Sequence, residues 1–401
     1  MARVLEHHAL GFLQRAGVSI PGFAVVDTAE EAEQAAAGFG GAMVIKALVP
    51  AGGRGKAGAI KRAQDPRAAF RHAERLLGRT VLNFPVERLL VAESIDIAEE
   101  LFAAITFDSL TRQPVVLFST LGGIDVEAIL EKAPDRLIQV PVEIGLGLQP
   151  LQAREIAERA GLKGRTLRPA ADTLCALYKV FRDLEAQTLE VNPLVVTGEC
   201  RIVAPTGVIV VDDQALFRHP ELKGIADPNL TNGWRPLTPL EKRMREIDDI
   251  DAASAMRFNE FPDGTIAFMM TGGGAGLLAF DAIVRAGGDP ATTFDITPGF
   301  VEEKMYLATK AILSRPGLTG LIAGGNISNF IPIDIKVRGV MRALKELEID
   351  PRTFPVVFRF AGPGSEEARA LAGALPGIEY FGAGSTIEEA VERIVARTKK
   401  P

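Results

Sequence analysis

Cations and glycines crowd one short run of this chain, K-A-L-V-P-A-G-G-R-G-K-A-G from Lys46 to Gly58. Glycines let the backbone fold tightly and turn N–H groups toward an anion, while Lys46, Arg54 and Lys56 bring positive charge. That combination suits the phosphates of a nucleoside triphosphate. No Ser or Thr follows Lys56 to hold a metal ion, so the run is not a Walker loop, nor does it open a helix as a dinucleotide fingerprint would. A basic flexible loop without a ligand is the plain alternative when the run is taken alone.

The elements around it are expected to position it. A-M-V-I-K-A-L (Ala42–Leu48) reads as a strand that delivers Lys46 into the loop. Thr28 with the acidic residues after it predicts a capped helix ending near Gly38. Segments Arg88–Glu93, Phe102–Asp108 and Pro114–Thr120 read as strands, and Pro169 to Glu185 as a helix with Leu174, Leu177, Tyr178, Phe181 and Leu184 on one face. Thr188–Val196 and Arg201–Val211 read as a hairpin joined by Thr197-Gly198-Glu199. Texture changes between Phe217 and Asp251, where Pro220, Pro228, Pro236, Pro239 and the lone Trp234 sit among charges, as in an interdomain linker.

Beyond it the pattern alternates. Strands are expected at Thr265–Thr271, Thr293–Ile296, Gly320–Ala323, Pro355–Phe360 and Ile378–Phe381. Helices are expected at Leu277–Ala286, Glu302–Ser314, Ile333–Leu347 and Ser365–Ala374, then one more opened by a Ser385-x-x-Glu388 capping box. Such alternation predicts an α/β unit with a parallel sheet and right-handed crossovers. Its ligands bind at the carboxyl ends of the strands, which here carry Gly272–Gly276 and Gly324-Gly325-Asn326.

Composition narrows the class. The 401 residues suffice for two or three full cores, and 47% hydrophobic with 24% charged residues is ordinary for a soluble globular protein. A net charge of −6 offers no basic field for nucleic acid. No apolar run approaches the roughly 20 residues that cross a membrane, and the first residues lack the apolar core of a signal peptide. Two cysteines, Cys175 and Cys200, make neither a disulfide framework nor a metal site, which fits a reducing cytoplasm. His7, His8, His72 and His219 are the only histidines, so histidine chemistry must use one of them or come from a partner.

Several motifs in fixed order resemble, over nearly the whole chain, the β subunit of succinyl-CoA synthetase and its ADP-forming acid–CoA ligase relatives. They are Val44–Gly58, Asp96–Leu101 (D-I-A-E-E-L), Leu151–Ala157 (L-Q-A-R-E-I-A), Glu190–Leu194 (E-V-N-P-L), Ala215–Arg218 (A-L-F-R) and Ala286–Pro290 (A-G-G-D-P). Three later stretches are similar to ATP-citrate lyase: Thr309–Leu313, Gly324–Phe330 and Phe358–Pro363. In the lyase these loops surround the carboxylates of citrate.

The resemblance implies an ATP-grasp domain over 1–222, a linker over 223–250 and a flavodoxin-like CoA-ligase domain over 251–401. It implies ATP or ADP with Mg²⁺ on this chain. An α-type partner would carry the phosphorylated histidine and most of the CoA site, and a small carboxylic acid would be the substrate. Lys46 would contact the phosphates, Gly53, Arg54 and Gly55 would close over them, and Glu100 would lie near the nucleotide. Asn192 would hold magnesium through its side-chain oxygen. Glu190 would face and orient the partner's phosphohistidine, making Glu190 and Arg54 the catalytic candidates.

Departures from the family pattern temper the reading. Thr206 stands where a metal-binding aspartate is usual, and Asp212 and Asp213 are roughly 20 Å further along an extended chain. Ala92 replaces the hinge glutamate, with Glu93 beside it. The loop N-G-A-G is G-G-A-G at Gly273–Gly276, D-V-G-G-G is D-I-T-P-G at Asp295–Gly299, and a second arginine after Arg359 is Phe360. Losing that guanidinium removes a bidentate carboxylate clamp, so neither succinate nor citrate is assumed. Candidate substrate contacts are Gly273, Thr297, Asn326, Ser328, Asn329 and Arg359, each with an alternative as a helix cap or loop hydrogen bond. The leading expectation is a β-type ligase subunit. Thr206 supports its rival, a non-catalytic assembly or regulatory subunit, while a self-sufficient ATP-grasp ligase is disfavoured by the second domain.

Overall fold

The computed structural model describes residues 2–226, 235–251, 253–298 and 301–399, and these divide into two compact units, 1–236 and 237–401. Pro228, Trp234 and Gly299 lie outside the described residues.

Two larger antiparallel sheets, with a short Thr80–Val81/Phe84–Pro85 pair, build the first unit. In the smaller, Phe23–Val26, Leu89–Glu93, Met43–Ala47 and Ile60–Ala63 lie side by side in that order. Met43, Ile45, Leu89 and Val91 pack onto the helices Ala29–Phe39 and Pro66–Leu76, whose caps Thr28 and Asp65 accept from the backbone as their residue types favour. The larger sheet runs Ala2–Val4, Val208–Val211, Ala186–Val196, Glu99–Asp108, Gln113–Ser119, Ile138–Pro141. Leu174, Leu177, Tyr178 and Phe181, from the 17-residue helix Leu167–Asp183, cover it. Leu189, Val191, Leu101 and Phe118 sit in the same core.

The expected hairpin is correct at its turn, where Val196 pairs with Ile202, but its second strand is broken. Ile202–Val203 and Val208–Val211 are separate strands, divided by Ala204–Gly207. Pro205 has no N–H for a ladder, and the Ala204 N–H turns instead to the Ser19 carbonyl at 2.8 Å. The break brings the Pro205 carbonyl to Lys46.

Four parallel strands form the centre of the second unit: Ile266–Thr271, Gly320–Ile327, Val356–Ala361 and Ile378–Phe381. Strand Thr292–Ile296 flanks the first of them, but its Thr292 hydroxyl replaces much of the ladder, accepting from Phe268 N and donating to Phe268 O. Its other edge pairs antiparallel with Met256–Glu260, a strand the sequence reading did not include. From Ile266–Thr271 the chain thus goes first to one side and then to the other. One layer of side chains contains Val301, Met305, Val337 and Val340, and the opposite layer Ile283, Val391 and Ile394.

Two boundaries differ from the sequence reading. The stretch 223–250 is not irregular throughout: Pro239–Asp248 is a helix with a Thr238/Glu241 capping box, and Met244 and Ile247 are in the second core. Its apolar residues recur at helical spacing, which the prolines around it masked. The last helix, Ile387–Thr398, is capped one residue later than expected, by Thr386 and Glu389. Among the described residues no helix is long and apolar enough to cross a membrane.

Candidate functional site

Strand Met43–Ala47 places Lys46 at the edge of a small cavity in the first unit, and its ammonium is committed on two sides. Nζ donates to Glu6 Oε1 at 2.8 Å and to the Pro205 carbonyl at 2.7 Å. Arg54 comes from the glycine loop, pairs with the other oxygen of Glu6, and donates to the Ala47 carbonyl at 3.1 Å. Gly53 holds a left-handed φ of 73° that favours glycine, and the loop closes through Ala57 N to Gly53 O and Ala59 N to Arg54 O.

Glu6 opens the helix Glu6–Arg15 and is buried with its partners. Burial alone would raise its pKa, but the Lys46 and Arg54 charges outweigh that and hold the carboxyl at about 2. One carboxylate against two cations leaves the cluster net positive. Arg3, from the strand Ala2–Val4, adds to it. Burial and the Arg54 charge lower its pKa, and Glu190 offsets part of that.

A second group lies around Asn192. Its Oδ1 accepts from Gly123 N and its Nδ2 donates to Ile124 O, both at 2.9 Å. Gly123 also crosses Glu100 so closely that a Cβ there would lie 2.1 Å from Glu100 Oε2. One loop therefore joins Glu100 to Asn192. Burial holds the Glu190 carboxyl above its usual range. Asn192 and Arg3 pull it down, and Glu127 and Asp125 push it up. Lys56 is exposed and pairs with Asp125.

A cavity of about 60 Å³ is bordered by Val44, Lys46, Ala92, Ile97 and Pro205. Pro21, Arg62, Glu93, Ser94 and Ile95 border both it and a cavity of about 680 Å³ that reaches Thr197 and Arg201. Strand Leu89–Glu93, which carries Ala92, thus has a polar hollow beyond its end.

The candidates of the second unit are more dispersed. Gly273 caps the helix Gly274–Arg285, but Asp295 already accepts from Gly272 N at 2.8 Å and Gly273 N at 3.0 Å. Thr297 Oγ1 accepts from Ala255 N, and Ser328 Oγ donates to Ile331 O, both at 2.7 Å. Arg359 is buried and donates to Gly325 O at 2.9 Å and Ser385 O at 3.1 Å. These three act here as loop hydrogen bonds. Asn326 and Asn329 are exposed, Asn326 against Gly272.

Magnesium has a limited donor set. Among the described residues no three His, Cys, Asp or Glu side chains form a metal cluster, and position 206 is a threonine. The Asn192 oxygen and the Glu190 carboxylate beside it fit an ion that arrives with nucleotide phosphates, not one held in an all-protein cage.

Glu6 and Arg3 were missed by the sequence reading, as was Lys336, a buried lysine discussed below. Glu6 carried one usable signal, an acidic residue at the buried start of an otherwise apolar helix face.

Comparison with known proteins agrees with this fold. An ATP-grasp domain family matches residues 3–196, and the ATP citrate lyase citrate-binding family matches residues 235–372. The chain is 36% identical over 393 residues to the β subunit of GDP-forming succinate–CoA ligase from Thermus thermophilus, covering 98% of this chain and 97% of the relative. It is 35% identical over 369 residues to the ADP-forming β subunit from Chloroflexus aurantiacus, covering 91% and 92%. Among solved structures, ATP citrate lyase from Methanothrix soehngenii, in complex with citrate and coenzyme A, shares the fold with a TM-score of 0.78 at 21% identity, covering 99% of both chains. An ATP-grasp fold followed by a parallel-sheet α/β unit, at these identities over nearly full length, places the chain in the family of succinate–CoA ligase β subunits.

Proposed function

We propose that this chain is the nucleotide-binding subunit of an ADP-forming acid–CoA ligase that works with an α-type partner. The observation that carries the reading is the pairing of Lys46 and Arg54 through Glu6, with Lys46 bordering the cavity beside Ala92. Two cations held in place by one buried carboxylate meet a triphosphate without reorganising, and positioning with charge neutralisation dominates phosphoryl transfer.

Lys46 and Arg54 bind the phosphates, Gly53 and Gly55 let the loop close over them, and the purine lies toward Ala92–Ile95. Glu100 borders the nucleotide. Asn192, with Glu190, would hold magnesium brought by the nucleotide, which would supply charge neutralisation at the phosphates. Glu190 orients the partner's histidine, which takes the phosphoryl group from ATP and passes it to the substrate carboxylate. The CoA thiolate, bound mainly by the partner, then attacks the acyl phosphate carbon and releases phosphate. The acid binds at the strand ends of the second unit. The segments 1–222 and 251–401 serve as the nucleotide and acid domains, with 223–250 between them.

Thr206 favours a second reading, an assembly or regulatory subunit without turnover. Calorimetric titration with ADP and ATP, with and without magnesium, separates the two. Magnesium-enhanced binding supports the ligase; no binding in either condition supports the assembly subunit.

A further inference from the structure

Two lysines are buried in the second unit, and their surroundings differ. Lys304 is 0% exposed, and its ammonium meets four acceptors: Asp248 O at 2.7 Å, Asp248 Oδ1 at 3.0 Å, Asp251 O at 2.7 Å and Ser254 O. Lys336 is 6% exposed, and its ammonium has one acceptor among the described residues, Thr271 Oγ1 at 3.2 Å. An ammonium has three N–H donors, and a buried charge is retained only where an anion or several acceptors compensate it. Lys304 is complete within the protein. Lys336 is not.

The position of Lys336 matters as much as its burial. It lies in the first turns of helix Ile333–Glu346, on the layer that contains Val337 and Val340. Thr271 ends strand Ile266–Thr271, is in register with Gly325, and donates its hydroxyl to Gly324 O at 3.1 Å. The ammonium therefore sits between the carboxyl ends of Ile266–Thr271 and Gly320–Ile327. Strand Thr292–Ile296 flanks the first of these on its other side, so this is where the strand order reverses and open α/β sheets bind ligands.

Nearby charges do not pair with it. Asp295 lies within electrostatic reach, but not within ion-pair distance, and its oxygens accept from Gly272 N, Gly273 N and Ile296 N. Arg359 does not share this crevice, since it points from its strand into the opposite layer, where its two terminal nitrogens donate to carbonyls and its Nε has no partner among the described residues. At Gly273 and Gly274 an added Cβ would meet nothing within 4 Å, leaving room beside the strand end.

We propose that Lys336 is the cation that binds a carboxylate of the acid substrate in the crevice between strands Ile266–Thr271 and Gly320–Ile327. The proposal rests on the ligase reading above and names the residue that selects for the acid. Burial lowers the Lys336 pKa, with Asp295 offsetting part of this, so an arriving carboxylate also restores the ammonium's preferred charge state.

Thermal shift of the full chain tests it, with acetate, succinate, malate and citrate as acid probes against matched chloride, and ADP as an independent probe. At least one acid is expected to raise the wild-type Tm. Lys336→Met is expected to weaken that acid by about 30-fold or more, the usual effect of truncating one member of a buried charge pair. Its ADP response stays unchanged, and its acid-free Tm is equal or higher because a poorly compensated charge is gone. A purely structural lysine would instead lower the Tm. Lys336→Gln, which can keep a hydrogen bond to Thr271, gives the same loss of acid response should the Met variant not fold. Retention of the acid response in either folded variant overturns the proposal. So does a wild-type chain that answers ADP but none of the four acids, and the nucleotide reading then stands alone. A wild-type chain that fails to answer ADP overturns the function on which the proposal rests, and the proposal with it.

Discussion

Glu6 and Lys46, forty residues apart in the chain, meet at 2.8 Å, and the same carboxylate also holds Arg54. One acidic side chain from the first helix therefore sets both the position and the residual charge of the proposed phosphate site. It keeps two cations side by side where their mutual repulsion would otherwise spread them.

Replacing Glu6 by Gln leaves the two cations buried without their anion. The expected loss is about 3–5 kcal/mol, read as a fall in denaturation midpoint. ADP should raise the Tm of this variant more than that of the parent chain, because the phosphates restore the missing negative charge. The same pair gives acid sensitivity. The Glu6 carboxyl is depressed from 4.5 to about 2, so its contribution is fully present above pH 4.5. It is lost as pH falls from there toward 2. Glu6→Gln should flatten that part of the stability profile.

Lys46→Ala should abolish measurable ADP binding by calorimetry, since Lys46 is the one charged side chain of strand Met43–Ala47 and borders the cavity. Thr206→Asp should strengthen magnesium-dependent binding by roughly tenfold, the scale of one added hard oxygen ligand. An unchanged magnesium response in Thr206→Asp would place the ion elsewhere.

Glu190→Gln keeps the size of the side chain and removes its charge. ADP affinity should stay within about threefold, while phosphorylation of the α-type partner from labelled ATP should fall by about 100-fold, the scale of a misplaced reacting group. Loss of ADP affinity in parallel would make Glu190 a nucleotide contact instead of an orienting one.

Glu185 accepts from Arg218 through both its oxygens and reaches His219 Nε2 at 2.9 Å, while Glu221 lies 2.9 Å from Nδ1. Burial disfavours the imidazolium, but the hydrogen bonds to Glu221 and Glu185 outweigh it and raise its pKa. Stability from this link is full below the ordinary value of 6.5 and is lost as pH rises through the higher folded value. An imidazole resonance of His219 titrating above 6.5, and moving down in Glu185→Gln, is the expected outcome by NMR.

Much of the fold could be read from the sequence because its signals are local. The strand with Lys46, the glycine loop and the alternating elements after residue 260 each declare themselves within about ten residues. Glu6 and Arg3 do not. They reach the site because Ala2–Val4 pairs with Val208–Val211, with Ala2 opposite Val211, a long-range fact no local pattern contains. The broken second strand was legible in principle, since Pro205 and Gly207 interrupt any ladder. Lys336 left a fainter signal. It lies three residues from Ile333 and four from Val340, on the buried side of an amphipathic helix, where a lysine is out of place. Thr297, Ser328 and Arg359 make the loop hydrogen bonds that were their stated alternative, and residue type alone does not separate a ligand contact from such a bond.

Lys304 is the control for Lys336, and the two should respond to the same substitution with opposite signs of stability. Lys304 joins Asp248, Asp251 and Ser254, so it ties the end of helix Pro239–Asp248 to helix Val301–Leu313. Lys304→Met would take the shared donor from those carbonyls and from the Asp248 carboxylate, which keeps only Met256 N at 2.7 Å among the described residues. Each unmet acceptor costs about 1–3 kcal/mol. The expected result is a loss of about 3–5 kcal/mol in denaturant unfolding, the range for breaking a buried ion pair. The ADP response should persist wherever the variant is folded. A neutral effect at Lys304 would mean that buried ammonium groups in this unit carry little energy either way, and the contrast with Lys336 would then lose its physical basis.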